Sequence, residues 1–270
     1  MCILQSHPGY STAGPSNLMR MLLDLPRVLL VVCLLLLFVA DRVGIFLKQR
    51  SKLTEDERDD YKLVVGATLT LLSLIIGFTF SMAVSRYDLR KHYEAEEANA
   101  IGTEYARAGL LPPADAAKVR GLLRSYLDHR VLFYKTTDAR LQQINAKILQ
   151  LQDQLWSAVQ AVAVVQPTPV NALTASGMND VLNSQGYAQA AEWNRIPVAA
   201  WGLMIAIAIC ANLLVGYGRF RVDTHALLRL ILPLMVAVSF FLISDIDSPR
   251  SGVIRVLPQN LESLAQSLPR

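Results

Sequence analysis

The segment from residue 63 to 85 contains no charged residue and carries two stripes of side chains at helical spacing. Small residues inside a membrane let helix backbones approach closely, and weakly polar ones tolerate water beside a pore. The first stripe therefore predicts either helix packing, through Gly66, Ser73 and Gly77, or a helix that lines a pore. Its members recur every three or four positions and are Gly66, Thr70, Ser73, Gly77 and Ser81.

The second stripe is bulkier and lies beside the first. It consists of Thr70, Leu74, Phe78 and Met82, which recur at steps of four. Rings of bulky apolar side chains gate pores by excluding water when copies of one helix surround an axis. In a single copy, the same stripe also suits contact with lipid or with a neighbouring helix. The spacing alone leaves both interpretations open.

The helix that carries these stripes is predicted to continue beyond the membrane. No proline or glycine follows Ser85 until Gly102, and the intervening residues are good helix formers. Arg86 and Arg90 lie one turn apart at the predicted membrane exit, where basic and aromatic residues commonly anchor a helix at the interface. Beyond that point the helix either extends a pore as a vestibule or supports a soluble bundle.

Four segments approach the roughly 20 apolar residues that a transmembrane helix needs. Hydrophobic residues make up 53% of the chain and charged residues only 18%, so the charges are concentrated outside these segments. The first segment includes Asp41 and Arg42, and the last includes Arg229 near its start. The predicted spans are residues 28–47, 63–85, 196–218 and 225–244.

The region between the second and third spans is helical by pattern. Helix breaks are expected at Pro112-Pro113 and at residues 166–169. Between these breaks an apolar stripe recurs at steps of three and four and consists of Leu141, Ile144, Ile148, Leu151, Leu155, Val159 and Val162. The sequence therefore predicts an all-α polytopic membrane protein with four transmembrane helices and a long helical insert between spans two and three. The expected divisions are a disordered lead-in (1–21), a first helical pair (22–85), the insert (86–195), a helical hairpin (196–244) and a tail (245–270).

Residues that would support catalysis or metal binding have no suitable partners. The three cysteines and four histidines are scattered without metal-ligand spacing, and phosphate-binding or nucleophile motifs are missing. We therefore expect no enzyme activity, no metal and no cofactor. Basic residues are interspersed with acidic ones, which argues against a nucleic-acid partner. Two polar segments between Ser176 and Tyr187, "SGMND" and "NSQGY", predict helix caps or turns, or else a partner-binding surface.

Two longer segments, "IIGFTFSMAVSRYDLRKHYEAEEANAIGTEY" and "FFLISDIDSPRSGVIRV", resemble the bestrophin-like domain family of bacterial membrane proteins. The resemblance extends from about Arg58 to the C-terminus. Bestrophin channels are similar in having a Gly-Phe pair in the second span and an arginine eight residues beyond the Phe, a spacing matched by Gly77, Phe78 and Arg86.

This resemblance implies a pore neck formed by Phe78, Leu74 and Thr70, with Thr70 departing from the apolar character of the family. It also implies an acidic turn at the exit of the last span, carried here by Asp245 and Asp247. Two carboxylates are too few for a calcium site, which takes 6–8 oxygen ligands. We expect them instead to bond backbone groups or a nearby arginine.

The resemblance further implies a homopentamer in the inner membrane, in contact with lipid and conducting inorganic ions. The termini and the insert would be cytoplasmic, whereas the basic residues are divided equally between the two sides and predict no orientation. Ion selectivity is not indicated by any charged ring. The alternative is a membrane scaffold or signalling protein that does not conduct and whose insert binds partners.

Overall fold

The computed structural model describes residues 25–50, 55–137, 139–218 and 226–269, with side chains omitted at 55–56 and 226–229. Every regular element in these ranges is helical, and none of the described residues lies in a β-strand. A short 3₁₀ turn, Ala108–Leu110, follows the second helix. The α-helices are α1 (Pro26–Arg50), α2 (Glu55–Arg107), α3 (Pro113–Lys135), α4 (Leu141–Val165), α5 (Pro169–Trp193), α6 (Val198–Tyr217), α7 (Ala226–Asp247) and α8 (Gln259–Ser267).

The prediction of an all-helical chain with four membrane spans is confirmed. Four helical stretches are long and apolar enough to cross a bilayer: α1, α2, the stretch Pro169–Tyr217 that ends with α6, and Leu230–Asp247 within α7. Helix α2 also continues without interruption from its apolar half to Arg107, as the absence of early breakers predicted. The predicted lead-in, residues 1–21, lies outside the described residues.

The Cα positions divide the chain into two compact units. The first contains residues up to Ser81 together with Ile196–Gly252, and the second contains Met82–Arg195 together with Val253–Arg270. Helix α2 contributes residues to both units. The residues of the predicted tail, 245–270, are shared between them, with the division after Gly252.

In the first unit, α1 packs mainly against α6 and α7. The approach to α6 is close because glycine occurs at the contact on both helices: a Cβ on Gly44 would overlap the carbonyl oxygen of Leu213, and one on Gly216 would overlap that of Asp41. Such backbone-to-backbone contact is how helices associate in lipid, where packing must replace the hydrophobic effect. The Tyr61 hydroxyl, at the start of α2, donates to the Leu214 carbonyl.

This close contact predicts a position-specific effect of adding one methyl group. We expect Gly216→Ala to lower the free energy of unfolding by about 1–3 kcal/mol, because the helices must separate to admit the Cβ. Gly202→Ala in the same helix is the matched control, since a Cβ there would meet no described atom within 4 Å beyond its chain neighbours and the adjacent backbone of α6. Thermal unfolding of the purified variants in detergent measures both effects. Equal midpoints for the two variants would contradict this contact.

The core of the second unit is built by the apolar stripe of α4. As the stripe predicts, Ile148, Leu151, Leu155, Val159 and Val162 are buried. They pack with residues of α3, including Leu123, Tyr126 and Leu127, all of which are fully buried. Each side chain of this kind contributes about 1.5–3 kcal/mol when it leaves water.

The predicted proline breaks separate the helices of this unit. Pro113 begins α3 and Pro169 begins α5, positions where a missing N–H costs nothing. Thr168 caps α5 by accepting a hydrogen bond from Asn171 N at 3.2 Å. A further break, between Lys135 and Leu141, was not predicted, because it contains neither proline nor glycine.

The C-terminal helix α8 is bound to α2 through Glu94. The Oε1 atom of Glu94 accepts hydrogen bonds from the backbone N–H groups of Asn260 and Leu261, each at 3.0 Å. Its Oε2 atom accepts from Asn260 Nδ2 at 2.6 Å. A carboxylate is favoured here because the N-terminus of a helix carries partial positive charge. At the other end, Arg124 Nη1 donates to the Leu268 carbonyl at 3.0 Å.

Candidate functional site

Helix α2 is the least covered of the four candidate spans. Only 11% of its most apolar window is buried, against 33% for α1, 28% for the stretch ending in α6 and 50% for α7. An apolar helix that its own chain leaves uncovered must face lipid, another copy or a pore. The uncovered surface of α2 is therefore the candidate functional site of the membrane-spanning part of the chain.

The predicted neck residues share one exposed side of α2. Leu74 is 52% exposed and Phe78 is 66% exposed, and Thr70 is exposed beside them. The buried side of the same segment is marked by Leu72 and Thr79. At 3.6 residues per turn, the neck residues lie about half a turn away from this buried side. Their assignment as a neck stays a prediction, because it needs other copies of the chain.

The face of small residues is also open. Apart from the chain neighbours and the adjacent backbone of α2 itself, no described atom lies within 4 Å of a Cβ placed on Gly66 or Gly77, and Ser73 is exposed. The hydroxyls on this part of α2 bond to their own helix: Thr70 Oγ1 donates to the Gly66 carbonyl at 2.9 Å, and Ser73 Oγ to the Thr70 carbonyl at 2.8 Å. Hydrogen bonding within the helix allows this face to meet an apolar partner. The packing role of the three small residues stays a prediction that requires a partner outside the chain.

The two arginines at the predicted membrane exit differ in exposure. Arg90 is buried, and its Nε donates to the Arg86 carbonyl one turn earlier at 3.3 Å. Arg86 is half-buried. Anchoring of α2 at the interface by these side chains stays a prediction.

The acidic turn joins the end of α7 to the start of α6. Both carboxylate oxygens of Asp247 accept from the backbone N–H of Ile196, at 3.1 and 3.2 Å, and the two residues are buried. Asp245 is buried beside Gly252, where a Cβ would overlap the Asp245 carbonyl. The turn thus holds the end of α7 close to the start of α6, because a side-chain carboxylate of the turn accepts from a main-chain N–H beside α6.

We expect Asp247→Ala to lower the free energy of unfolding by about 1–3 kcal/mol, because the buried Ile196 N–H loses its acceptor. Asp247→Asn is the matched variant, since its amide oxygen can still accept one hydrogen bond. Thermal unfolding in detergent should therefore rank the parent above Asn, and Asn above Ala. An Asn variant as unstable as the Ala variant would show that the charge, and not this hydrogen bond, matters.

The second unit contains a buried ion pair that the sequence did not reveal. Glu97 and Arg130 are almost completely buried, Arg130 Nη2 donates to Glu97 Oε2 at 2.9 Å, and Arg130 Nε donates to Glu97 Oε1. The guanidinium also lies 4.5 Å from the centre of the Phe133 ring. Burial alone would lower the pKa of Arg130, but the Glu97 carboxylate raises it well above its usual range. This ion pair holds α2 to α3, because each buried charge is compensated by the other.

The described residues contain no group of three or more His, Cys, Asp or Glu side chains placed to hold a metal ion. The two polar segments singled out in the sequence lie on α5, inside the helix rather than at its ends. Gly177, Asp180, Ser184 and Tyr187 from these segments line a cleft together with residues of α2.

These features define a polytopic helical membrane protein with a helical unit built on the extension of its second span. The chain belongs to the Bestrophin-like domain family, whose sequence model matches residues 28–261. The resemblance inferred from the two quoted segments is therefore confirmed.

Crystal structures of a bacterial bestrophin homolog and of a membrane protein share this fold. A bacterial bestrophin homolog from Klebsiella pneumoniae superposes with a TM-score of 0.59 at 14% identity, covering 88% of this chain and 99% of that one. A variant of the same homolog gives 0.58 at 13% identity, with 88% and 99% coverage. A structure described as a membrane protein gives 0.57 at 14% identity, again with 88% and 99% coverage. At such identities the likeness establishes the fold. No protein with a curated description matches the chain.

Proposed function

We propose that this protein is an oligomeric ion channel in which α2 helices from several copies surround one pore. The family resemblance makes a homopentamer the expected assembly. Thr70, Leu74 and Phe78 would then form successive rings at the neck, and inorganic ions would pass through by diffusion. Gly66, Ser73 and Gly77, on the adjacent face of α2, would contact the neighbouring copy.

The observation that carries this proposal is the exposed stripe on α2. Phe78 is 66% exposed although it is a large aromatic residue in the middle of an apolar helix. The chain buries the opposite side of that helix, at Leu72 and Thr79, and leaves the stripe without a partner among the described residues. A symmetric ring of copies supplies such a partner and places the exposed stripe at the axis.

The neck would work by excluding water. An ion loses favourable hydration in a narrow apolar ring, so passage requires the ring to widen or wet transiently. The Thr70 ring would exclude water less strongly than the Leu74 and Phe78 rings, because the Thr70 hydroxyl can contact water when it is not bonded to the Gly66 carbonyl. Exposed apolar residues on α1, such as Leu35 and Val39, are then available to face lipid.

The proposed location is the inner membrane, with both termini and the helical insert in the cytoplasm. If all four candidate spans found among the described residues cross the membrane, the termini and the insert lie on one side. The basic residues favour neither orientation. The assignment of this side to the cytoplasm therefore rests on the family resemblance alone. Cysteine labelling from each side of the membrane, at an insert position such as Gln150, tests the assignment.

The test of the assembly is cysteine crosslinking at residue 78 in a background without Cys2, Cys33 and Cys210. If α2 helices surround an axis, Phe78→Cys yields disulfide-linked dimers efficiently under mild oxidation. Phe80→Cys, about half a turn away on the same helix, is the matched control and should crosslink poorly. Native mass spectrometry of the purified protein counts the copies.

Three results would contradict the channel. A monomeric purified protein, or equal crosslinking at positions 78 and 80, would place the stripe against lipid. An oligomer that crosslinks at residue 78 but carries no ion flux after reconstitution would favour the non-conducting scaffold, whose helical insert binds partners.

A further inference from the structure

A cleft of about 380 Å³ lies between α2 and α5 in the second unit. Its walls are two polar stripes at helical spacing that face each other. One stripe belongs to α2 and includes Asn99, Thr103 and Arg107. The other belongs to α5 and includes Gly177, Asp180 and Ser184.

A buried carboxyl group lies against this cleft. Glu104 is completely buried, and neither of its carboxyl oxygens has a hydrogen-bond partner among the residues that the structure describes. Its Oε2 lies so close to Gly177 that a Cβ there would overlap it, and the same Cβ would overlap Arg107 Nη1. Glycine at position 177 is therefore what allows this carboxyl and this guanidinium to approach one point on α5.

Arg107 lies near Glu104 but pairs elsewhere. Its Nη1 atom is 3.9 Å from Asp180 Oδ2, an ion pair whose acidic member is mostly exposed. A charged carboxylate that is buried without a hydrogen bond is strongly disfavoured, so such a group tends to keep its proton. Burial raises the pKa of Glu104 to about 8, with Arg107 opposing this shift and Asp180 adding to it.

We propose that Glu104 is a proton-binding site that controls how α2 packs against α5. In the protonated state the neutral carboxyl of Glu104 packs against Gly177, and Arg107 remains paired with Asp180. Loss of the proton leaves a buried negative charge that competes with Asp180 for Arg107. Among the described residues, the charged groups that act on Glu104 are Arg107 from α2 and Asp180 from α5. The ligand of this site is a proton.

The direction of the pH effect follows from linkage. In the unfolded chain Glu104 titrates near its ordinary value of 4.5, whereas the folded protein holds the proton up to a pH of about 8. The folded state therefore binds more protons between these values, and stability conferred by this site falls as pH rises through that window. The unfolding equilibrium constant changes by up to tenfold for each pH unit.

Infrared spectroscopy of the purified full-length protein tests the protonation state directly. A protonated carboxyl gives a carbonyl stretch that a carboxylate lacks. We expect this signal at pH 7, its loss as the pH is raised to 9, and its absence at both pH values from Glu104→Gln. Glu96→Gln is the matched control, because that exposed carboxyl lines the same cleft, and it should keep the signal. A parent spectrum at pH 7 that Glu104→Gln leaves unchanged would overturn the proposal.

Hydrogen exchange of the α5 backbone around Gly177 tests the consequence for packing. Parent and Glu104→Gln are compared at the same pH, so that the intrinsic pH dependence of exchange cancels. We expect similar protection at pH 6 and several-fold faster exchange in the parent at pH 9. Identical exchange at pH 9 would show that the proton does not control the packing.

A second variant keeps the proposal testable if Glu104→Gln fails to fold. Asp180→Asn removes the competing acceptor, so Arg107 becomes free to pair with Glu104. The infrared signal should then disappear at a lower pH than in the parent. An unchanged midpoint in this variant would contradict the proposed competition for Arg107.

Discussion

Phe78→Ala is expected to raise ion flux through the reconstituted protein by at least about tenfold, which corresponds to a barrier lower by about 1.4 kcal/mol. Phe78 is the largest side chain of the predicted neck and is more exposed than Leu74, at 66% against 52%. Its removal widens the narrowest apolar ring and lowers the cost of wetting it. A flux assay on liposomes, with several cations and anions in turn, measures the change and the selectivity together.

Phe80→Ala is the matched control for this experiment. It makes the same change on the same helix, about half a turn away from Phe78. Because Phe80 would face away from the axis, we expect its flux to stay within about twofold of the parent, a barrier change of roughly 0.4 kcal/mol. Equal increases in both variants would indicate a general loosening of the bundle. An absence of flux from the parent and from Phe78→Ala alike would contradict a conducting pore.

The parts of the fold that the sequence predicted are those governed by local periodicity. Apolar length alone identified the four spans, since a bilayer sets one thickness for all of them. The stripe from Leu141 to Val162 on α4 predicted the core of the second unit, because helical spacing places such residues on one face. Its first two members, Leu141 and Ile144, are only half-buried at the edge of this core. Prolines marked two helix boundaries for a reason that does not depend on tertiary contacts.

The buried charges were not predicted, because their partners are distant in sequence. Glu97 meets Arg130 across 33 positions, and Glu94 meets Asn260 across 166. The sequence nevertheless contains a pattern that indicates these buried charges. Positions 90, 94, 97, 101 and 104 recur at steps of three and four, and this stripe on α2 mixes charged residues with an isoleucine. A charged residue in register with core positions indicates that the chain buries it, either with a partner, as for Glu94 and Glu97, or in its neutral form, as proposed for Glu104.

The function of the predicted neck could not be determined from residue spacing, for a different reason. Spacing placed Thr70, Leu74 and Phe78 on one side of α2, and the structure leaves that side exposed. A stripe that faces lipid and a stripe that faces a symmetry axis have the same residues and the same spacing in one chain. Oligomeric state is therefore the property that converts this pattern into a functional statement, and it depends on surfaces that periodicity does not describe.

Arg130→Met is expected to have the largest effect on stability, a loss of about 3–5 kcal/mol in the free energy of unfolding. The substitution keeps much of the side-chain volume beside Phe133 but leaves the Glu97 carboxylate buried without its partner. Glu97 is completely buried, so water cannot replace the guanidinium. Denaturant unfolding of the purified protein in detergent, followed by circular dichroism, measures the loss.

Two comparisons separate the charge effect from the effect of lost packing. Lys135→Met removes a pair with Glu262, 2.6 Å between Nζ and Oε1, in which the lysine is exposed and the glutamate is half-buried. It should cost no more than about 1 kcal/mol, because solvent screens such pairs. The double variant Glu97→Gln with Arg130→Met removes both charges and should be more stable than Arg130→Met alone. A double variant less stable than the single one would show that α2 is held to α3 by the shape of these side chains and not by the pairing of their charges.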